Sequence, residues 1–349
     1  MQTEKLSPMM QRYLETKEQY PDCILFYRLG DFYEMFFDDA KTASKELELT
    51  LTGKNCGLPE RAPMCGVPFH SANVYIERLV AKGYKVAICE QLEDPKNAKG
   101  LVDRGVVRVI TAGTRTFENM LDDKNNNYFL TVCKKGSTAL VFCDISTGEV
   151  FACELKKDSS VLNEIARYAP SEVILNPAAK TQFERDIVSR ITEAVTEYDD
   201  AFFETDIECI ARQFKRDAQA LSERTDALKS AVCAMIRYLE HTQKAHVDCI
   251  DTITLYDAGE FLEMDFATRR NLEITETMRD KAKKYSLLWV LDRTKTSMGA
   301  RKLKQWLEKP LINAVNINHR LYAVKELKED IMLSDDFAAV LSKIYDIGR

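Results

Sequence analysis

Gly30-Asp31-Phe32-Tyr33-Glu34-Met35-Phe36 follows the apolar run Cys23-Ile24-Leu25-Phe26-Tyr27 and precedes Phe37-Asp38-Asp39-Ala40-Lys41. Read locally, a strand ends at Gly30 and a new segment starts at Asp31. In extended backbone, residues two apart point to the same face. Phe32 and Glu34 then stand side by side as a flat apolar ring and a hydrogen-bonding oxygen, while Tyr33 points the other way, into the protein. An aromatic can slide between stacked bases and kink a duplex. A carboxylate repels phosphates, so beside DNA it needs a specific gain, such as a hydrogen bond to a base. Taken alone, the same two residues also fit a core aromatic and a solvated glutamate.

Composition narrows the field. A chain of 349 residues holds two or three domains, and its 45% apolar content is that of a soluble globular protein. No apolar run approaches the roughly 20 residues that span a bilayer, and the first residues lack a signal-peptide core. A cytoplasmic location is the default expectation. Ten cysteines occur without a C-x-x-C pair, and four histidines are scattered, so neither zinc nor triad chemistry is indicated. The formal net charge of −6 argues against indiscriminate DNA coating and directs attention to local basic clusters.

Along the chain, residues up to about 20 read as a helix, 39–48 as another, and Leu49-Thr50-Leu51-Thr52 as a strand. Residues 53–63 are rich in Gly, Pro and charge and read as a loop carrying Lys54 and Arg61. Ser71 is a plausible N-cap for a helix with Val74, Tyr75, Leu79 and Val80 on one side. Residues 85–90 and 106–110 are short strands. Lys96, Lys99, Arg104, Arg108 and Arg115 form a positive field suited to phosphates. Pro63 and Met64 are compact and apolar, able to press on sugar or base edges beside a kink. Residues 117–127 read as a linker, followed by a three-strand meander at 128–133, 138–144 and 149–154. A helix at 160–168, a strand at 172–175 that stops at Asn176-Pro177, a helix around 181–189 and a strand at 194–198 complete an α/β layer resembling the RNase H-like architecture. From Thr225 the pattern is helical, with Leu228, Ala231, Val232, Met235, Ile236 and Leu239 in one stripe. Ile317, Leu321, Val324, Leu327 and Ile331 mark a further stripe.

The Phe32 segment resembles the mismatch-recognition signature of the MutS family of DNA mismatch repair proteins. Three further blocks share its order and content: Ala62-Pro63-Met64-Cys65-Gly66-Val67-Pro68-Phe69-His70, then residues 86–91, then residues 106–114. Leu291-Asp292-Arg293-Thr294-Lys295-Thr296-Ser297-Met298-Gly299-Ala300-Arg301 is a second marker. The resemblance implies a multidomain α/β chain. A small mixed α/β mismatch-binding domain (1–115) leads through a linker (116–127) to an RNase H-like connector (128–245). The start of an all-α core or lever domain (246–349) follows. It makes Phe32 the wedge and Glu34 the base contact, with Lys54, Pro63, Met64, Arg104 and Arg108 as further DNA-binding candidates. Arg293, Lys295 and Arg301 fall in a segment that is structural in the family, so capping and packing are their expected roles.

No G-x-x-x-x-G-K-[ST] phosphate loop occurs. The expectation is an N-terminal fragment ending inside the core domain, without catalytic or metal residues and without a cofactor of its own, monomeric by itself. ATP, magnesium and homodimerisation are expected in the full-length protein, a MutL-type partner at the connector, and association with the bacterial nucleoid during repair. Two rivals stand beside mismatch sensing. One is a protein-interaction scaffold working through the connector. The other is a metal-dependent nuclease, with Asp144 at a strand end as first ligand.

Overall fold

The structure, a computed structural model, describes residues 6–93, 102–115, 122–245 and 247–349. They form two compact units, one from residues 1–115 with 237–247, the other from 116–236 with 248–349. The expected linker at 116–127 lies partly outside the described residues, as do Lys96 and Lys99.

The first unit runs α1 (Pro8–Gln19), β1 (Cys23–Leu29), β2 (Phe32–Phe36), α2 (Phe37–Leu47), β3 (Thr52–Lys54), β4 (Ala62–Pro68), α3 (Ala72–Ala81), β5 (Lys85–Gln91) and β6 (Arg104–Ile110). Its six strands lie in the order β3-β4-β2-β1-β5-β6. β1 and β5 pair in parallel; β1–β2, β2–β4, β3–β4 and β5–β6 are antiparallel. Pro8 opens α1 at a position where its missing N–H costs nothing. Met10 and Tyr13 of that helix pack with Leu25, Tyr27, Phe36, Ala62, Ala87 and Cys89 on one side of the sheet. At the start of α2, Asp39 is nearly buried and accepts from Leu25 N (3.0 Å), the Tyr13 hydroxyl (3.1 Å) and Lys17 Nζ (2.8 Å). One carboxylate thus ties α1, α2 and β1 around β2.

Three local expectations change. The strand lies at Thr52–Lys54, three residues beyond the Leu49 start expected for it, so Lys54 belongs to a strand and not to a loop. Leu51, whose alternation with Leu49 suggested the earlier start, is exposed. Pairing with β4, not local alternation, sets this edge. Ser71 does not cap α3 with its side chain; its hydroxyl donates back to Pro68 O at 3.2 Å. Ala72, Ile76, Leu79 and Val80 form the buried face of α3, and Val74 is exposed.

The second unit contains β7 (Phe129–Lys135), β8 (Ser137–Asp144), β9 (Glu149–Leu155), α4 (Val161–Tyr168), β10 (Glu172–Leu175), α5 (Pro177–Arg190), β11 (Val195–Glu197), α6 (Ile207–Gln213), α7 (Ala218–Ser222), most of α8 (Asp226–Gln243), β12 (Thr254–Leu255), α9 (Phe266–Asn271), α10 (Leu287–Leu291), α11 (Ser297–Glu308), α12 (Ala314–Glu329) and α13 (Ile331–Leu341). The sheet order is β11-β10-β7-β8-β9-β12. The meander is antiparallel, and β10 and β11 join it in parallel. Asn176-Pro177 starts a helix rather than merely ending a strand. Asn176 accepts from Ala179 N at 3.1 Å and Pro177 sits in the first turn. The α8 stripe from Leu228 to Leu239 is buried as expected. The α12 stripe is not: Leu321, Val324, Leu327 and Ile331 are exposed. Asp330 caps a new helix by accepting from Leu333 N, so Ile331 leaves the α12 register altogether. Among the described residues, no helix is long and apolar enough to cross a membrane.

The turn between β8 and β9 depends on Gly148. Its φ is +71°, and a Cβ there would lie 2.6 Å from Cys249 O. Gly148→Ala combines left-handed strain with a backbone clash and should cost on the order of 3 kcal/mol. Urea unfolding followed by circular dichroism checks this; an unchanged midpoint would rule out the close approach.

Candidate nucleic-acid interface

β1 and β2 form a hairpin with two residues, Gly30 and Asp31, between the paired Leu29 and Phe32. Gly30 takes φ +59°, the conformation such a tight turn demands and glycine supplies without strain. The turn places Phe32 at the rim of the sheet, with 47% of its surface open to solvent. Burial alternates with a period of two from Phe32 to Met35, with Tyr33 and Met35 buried and Glu34 half-buried, until Phe36, on the Phe32 face, is buried too.

Tyr33 anchors the tip from the opposite face. Its ring lies 5.9 Å from that of Phe26, and its hydroxyl donates to Glu90 Oε1. Burial, helped by the Glu90 carboxylate, pushes its phenol well above the ordinary range. Arg28 Nη1 lies 3.6 Å from Glu90 Oε2 and its guanidinium sits 3.7 Å over the exposed Phe69 ring. Arg28 and Phe69 were not singled out in the sequence. Their signal is faint: Arg28 ends an otherwise apolar strand, and Phe69 follows Pro68 in the block at 62–70.

Strand register sorts the candidates. Phe32 stands opposite Pro68, Glu34 opposite Gly66 and Phe36 opposite Met64, while Thr52 of β3 stands opposite Met64 and Lys54 opposite Ala62. Phe32, Glu34, Met64 and Lys54 therefore share one face. Lys54 Nζ lies 2.5 Å from Glu34 Oε2 and 5.6 Å from the centre of the Phe36 ring. Pro63, out of step with Met64 by one residue, lies on the other face.

Arg104 and Arg108 are four apart, which simple alternation puts on one face. A bulge separates them: Ile88 pairs with Arg108, but Cys89 pairs with Val106, leaving Val107 extra. Arg104 shares the face of Tyr27, its guanidinium 5.4 Å from that ring, and donates to Arg28 O and Val102 O, both at 2.9 Å. Arg108 falls on the opposite face, and burial pulls its guanidinium pKa down. The structure thus gathers Phe32, Glu34, Lys54 and Met64, keeps Arg104 on their face but turned inward, and separates Pro63 and Arg108.

Asp144, the nuclease candidate, is 1% exposed. Its Oδ2 accepts from Asn126 Nδ2 (2.9 Å) and Asn127 N (3.1 Å), its Oδ1 from Ser146 N (2.9 Å) and Oγ (2.6 Å). These donors occupy both oxygens in holding a turn. Arg301 is likewise structural, pairing with Asp346 at 2.6 Å and donating to Asp123 O at 2.7 Å, while Thr296 caps α11.

Family models for MutS domain I, MutS domain II and MutS domain III match residues 7–119, 127–251 and 267–349. Curated relatives include the protein described as DNA mismatch repair protein MutS from Acetivibrio thermocellus, 49% identical over 99% of this chain and 40% of the relative. Those from Ruminiclostridium cellulolyticum and Clostridium tetani are each 50% identical over 99% of this chain, covering 40% and 39% of their lengths. The chain spans about two fifths of the length of these relatives.

Proposed function

The chain belongs to the MutS family, and from that premise we propose that its first unit senses mispaired or unpaired bases in duplex DNA. The observation that carries this reading is the exposed Phe32 ring at a rigid hairpin tip, with the Glu34 carboxylate on the same face. Phe32 enters beside the faulty base and stacks on it. In a paired duplex, opening the stack costs about a few kcal/mol. A mismatch has already lost part of its pairing energy, so the same kink is easier there. Specificity is for deformability rather than for sequence. Glu34 contributes a hydrogen bond to the displaced base, accepting from a ring N–H with the carboxylate oxygen that Lys54 leaves free. Met64, beside Phe36 on the same face, packs under this reader. Tyr33, Arg28 and Glu90 hold the tip from behind.

The second unit is read as an RNase H-like connector followed by the start of a helical lever. A meander followed by parallel strands with helical crossovers supports that reading. A scaffold role for this unit, docking a MutL-type partner, is compatible with it and needs no DNA contact from Phe32. ATP hydrolysis, magnesium and homodimerisation are proposed for family members of the relatives' full length.

The test is a gel-shift titration against a matched duplex and one with a single unpaired thymine. Wild-type chain should prefer the second. Glu34→Ala should shrink that preference roughly fivefold to tenfold, one base hydrogen bond's worth, while matched binding holds or tightens. An unchanged ratio would count against a base contact from Glu34, and equal wild-type binding to both duplexes would sink mismatch sensing.

A further inference from the structure

We infer that Lys54 is the built-in counter-ion of the reader carboxylate and not a phosphate contact. Its ammonium lies 2.5 Å from Glu34 Oε2, and both side chains are more than half shielded from solvent. The pair bridges β2 and the edge strand β3 across β4. Gly66, the β4 residue opposite Glu34, carries no side chain, so the aliphatic stem of Glu34 lies over bare backbone there. The fold thus leaves room for Glu34 to lean along the sheet surface toward Lys54. Of the other ionised groups near the tip, Arg28 and Glu90 pair on the opposite side of the sheet, Asp31 lies in the turn, and Arg104, on the same face, spends its guanidinium on the carbonyls of Arg28 and Val102.

The consequence is electrostatic. A bare carboxylate at the point of closest approach to DNA repels every duplex, matched or not. Paired with Lys54, the reader arrives with no net charge, and Glu34 keeps one oxygen free for a base. Lys54 is therefore a positioning residue: it aims Glu34 and cancels its repulsion, and does not itself touch the base. This inference rests on the hairpin tip meeting DNA, as proposed above, but not on the mismatch preference.

The experiment is a double-mutant cycle on the 349-residue chain, with matched-duplex affinity measured between 50 and 200 mM salt, roughly the range where phosphate contacts report themselves. Each phosphate neutralised by a cation contributes about 0.9 to the slope of log affinity against log salt. Lys54→Met should weaken binding roughly threefold to fivefold, the scale of one exposed ion pair, with little change of slope. Adding Glu34→Gln to that variant should restore binding. Glu34→Gln alone should release Lys54 to a phosphate and steepen the slope by about 0.9. Merely structural damage would not produce the rescue or the slope change. If Lys54→Met flattens the slope by about 0.9 and Glu34→Gln rescues nothing, Lys54 is a phosphate contact and the inference is overturned. A wild-type chain that binds both duplexes equally ends the mismatch reading and leaves the cycle interpretable; a chain that binds neither ends both.

Discussion

Phe32→Ala is expected to bring the ratio of mismatched to matched binding to about one, while matched-duplex affinity changes less than about threefold. Stacking of a base on an aromatic side chain is worth about 1–3 kcal/mol by alanine substitution, or roughly five- to 150-fold in affinity. The ring is 47% exposed, so its removal leaves no large cavity and should leave stability nearly intact. That separation makes the variant informative. A loss of both binding and stability would mean that the ring packs more than it probes, and an unchanged ratio in a stable variant would falsify the wedge. Phe32→Leu is a useful companion, since it keeps apolar bulk but removes the flat π-face. It should retain some kinking and lose most of the stacking.

The second large effect falls on a residue that touches no DNA. Asp39→Ala removes the acceptor for Leu25 N, the Tyr13 hydroxyl and Lys17 Nζ at once. Leu25 N is then buried without its acceptor, while the Tyr13 hydroxyl and Lys17 Nζ keep only Phe36 O (3.4 Å) and Cys23 O (2.5 Å), and the expected loss is about 3–4 kcal/mol. Burial and the neighbouring Asp39 carboxylate already push the Tyr13 phenol well above its ordinary range. The Tyr13 hydroxyl also accepts from Phe36 N at 3.3 Å, at the end of the reader strand. Unfolding of the first unit, followed by urea titration, should move to a much lower midpoint. Asp39→Asn keeps one acceptor oxygen and the shape, so it should cost clearly less than Asp39→Ala. Equal midpoints for wild type and Asp39→Ala would mean that α1 and α2 are held by apolar packing alone. Because Asp39 lies in the first turn of α2, only three residues after Phe36, the destabilised variant should also lose the order of the tip and with it mismatch preference.

Much of this architecture is written in short-range patterns. The α8 stripe, the three-strand meander and the alternation of Phe32, Tyr33 and Glu34 follow from periods of 3.6 and 2, which neighbouring residues alone define. Gly30 marks the hairpin for a local reason too, because its positive φ belongs to the turn itself. Other features depend on partners distant in the chain. The β3 edge starts at Thr52 because β4 pairs there, although Leu49 and Leu51 offer a strand-like alternation earlier. The bulge at Val107 arises from registry with β5 and puts Arg108 on the far side of the sheet from Arg104. The Arg104 guanidinium is claimed by carbonyls of Arg28 and Val102.

The sequence by itself determined the strongly periodic helices and strands, the break at Gly30, and that a ring and a carboxylate would stand on one face, because each is set by conformational preference and side-chain period over a few residues; it did not mark β4 (Ala62–Pro68) as a strand. Only the tertiary structure decided which charges reach that face. Lys54 meets Glu34 across an intervening strand, and no local rule encodes a contact between residues twenty apart whose distance is set by three strands finding their register.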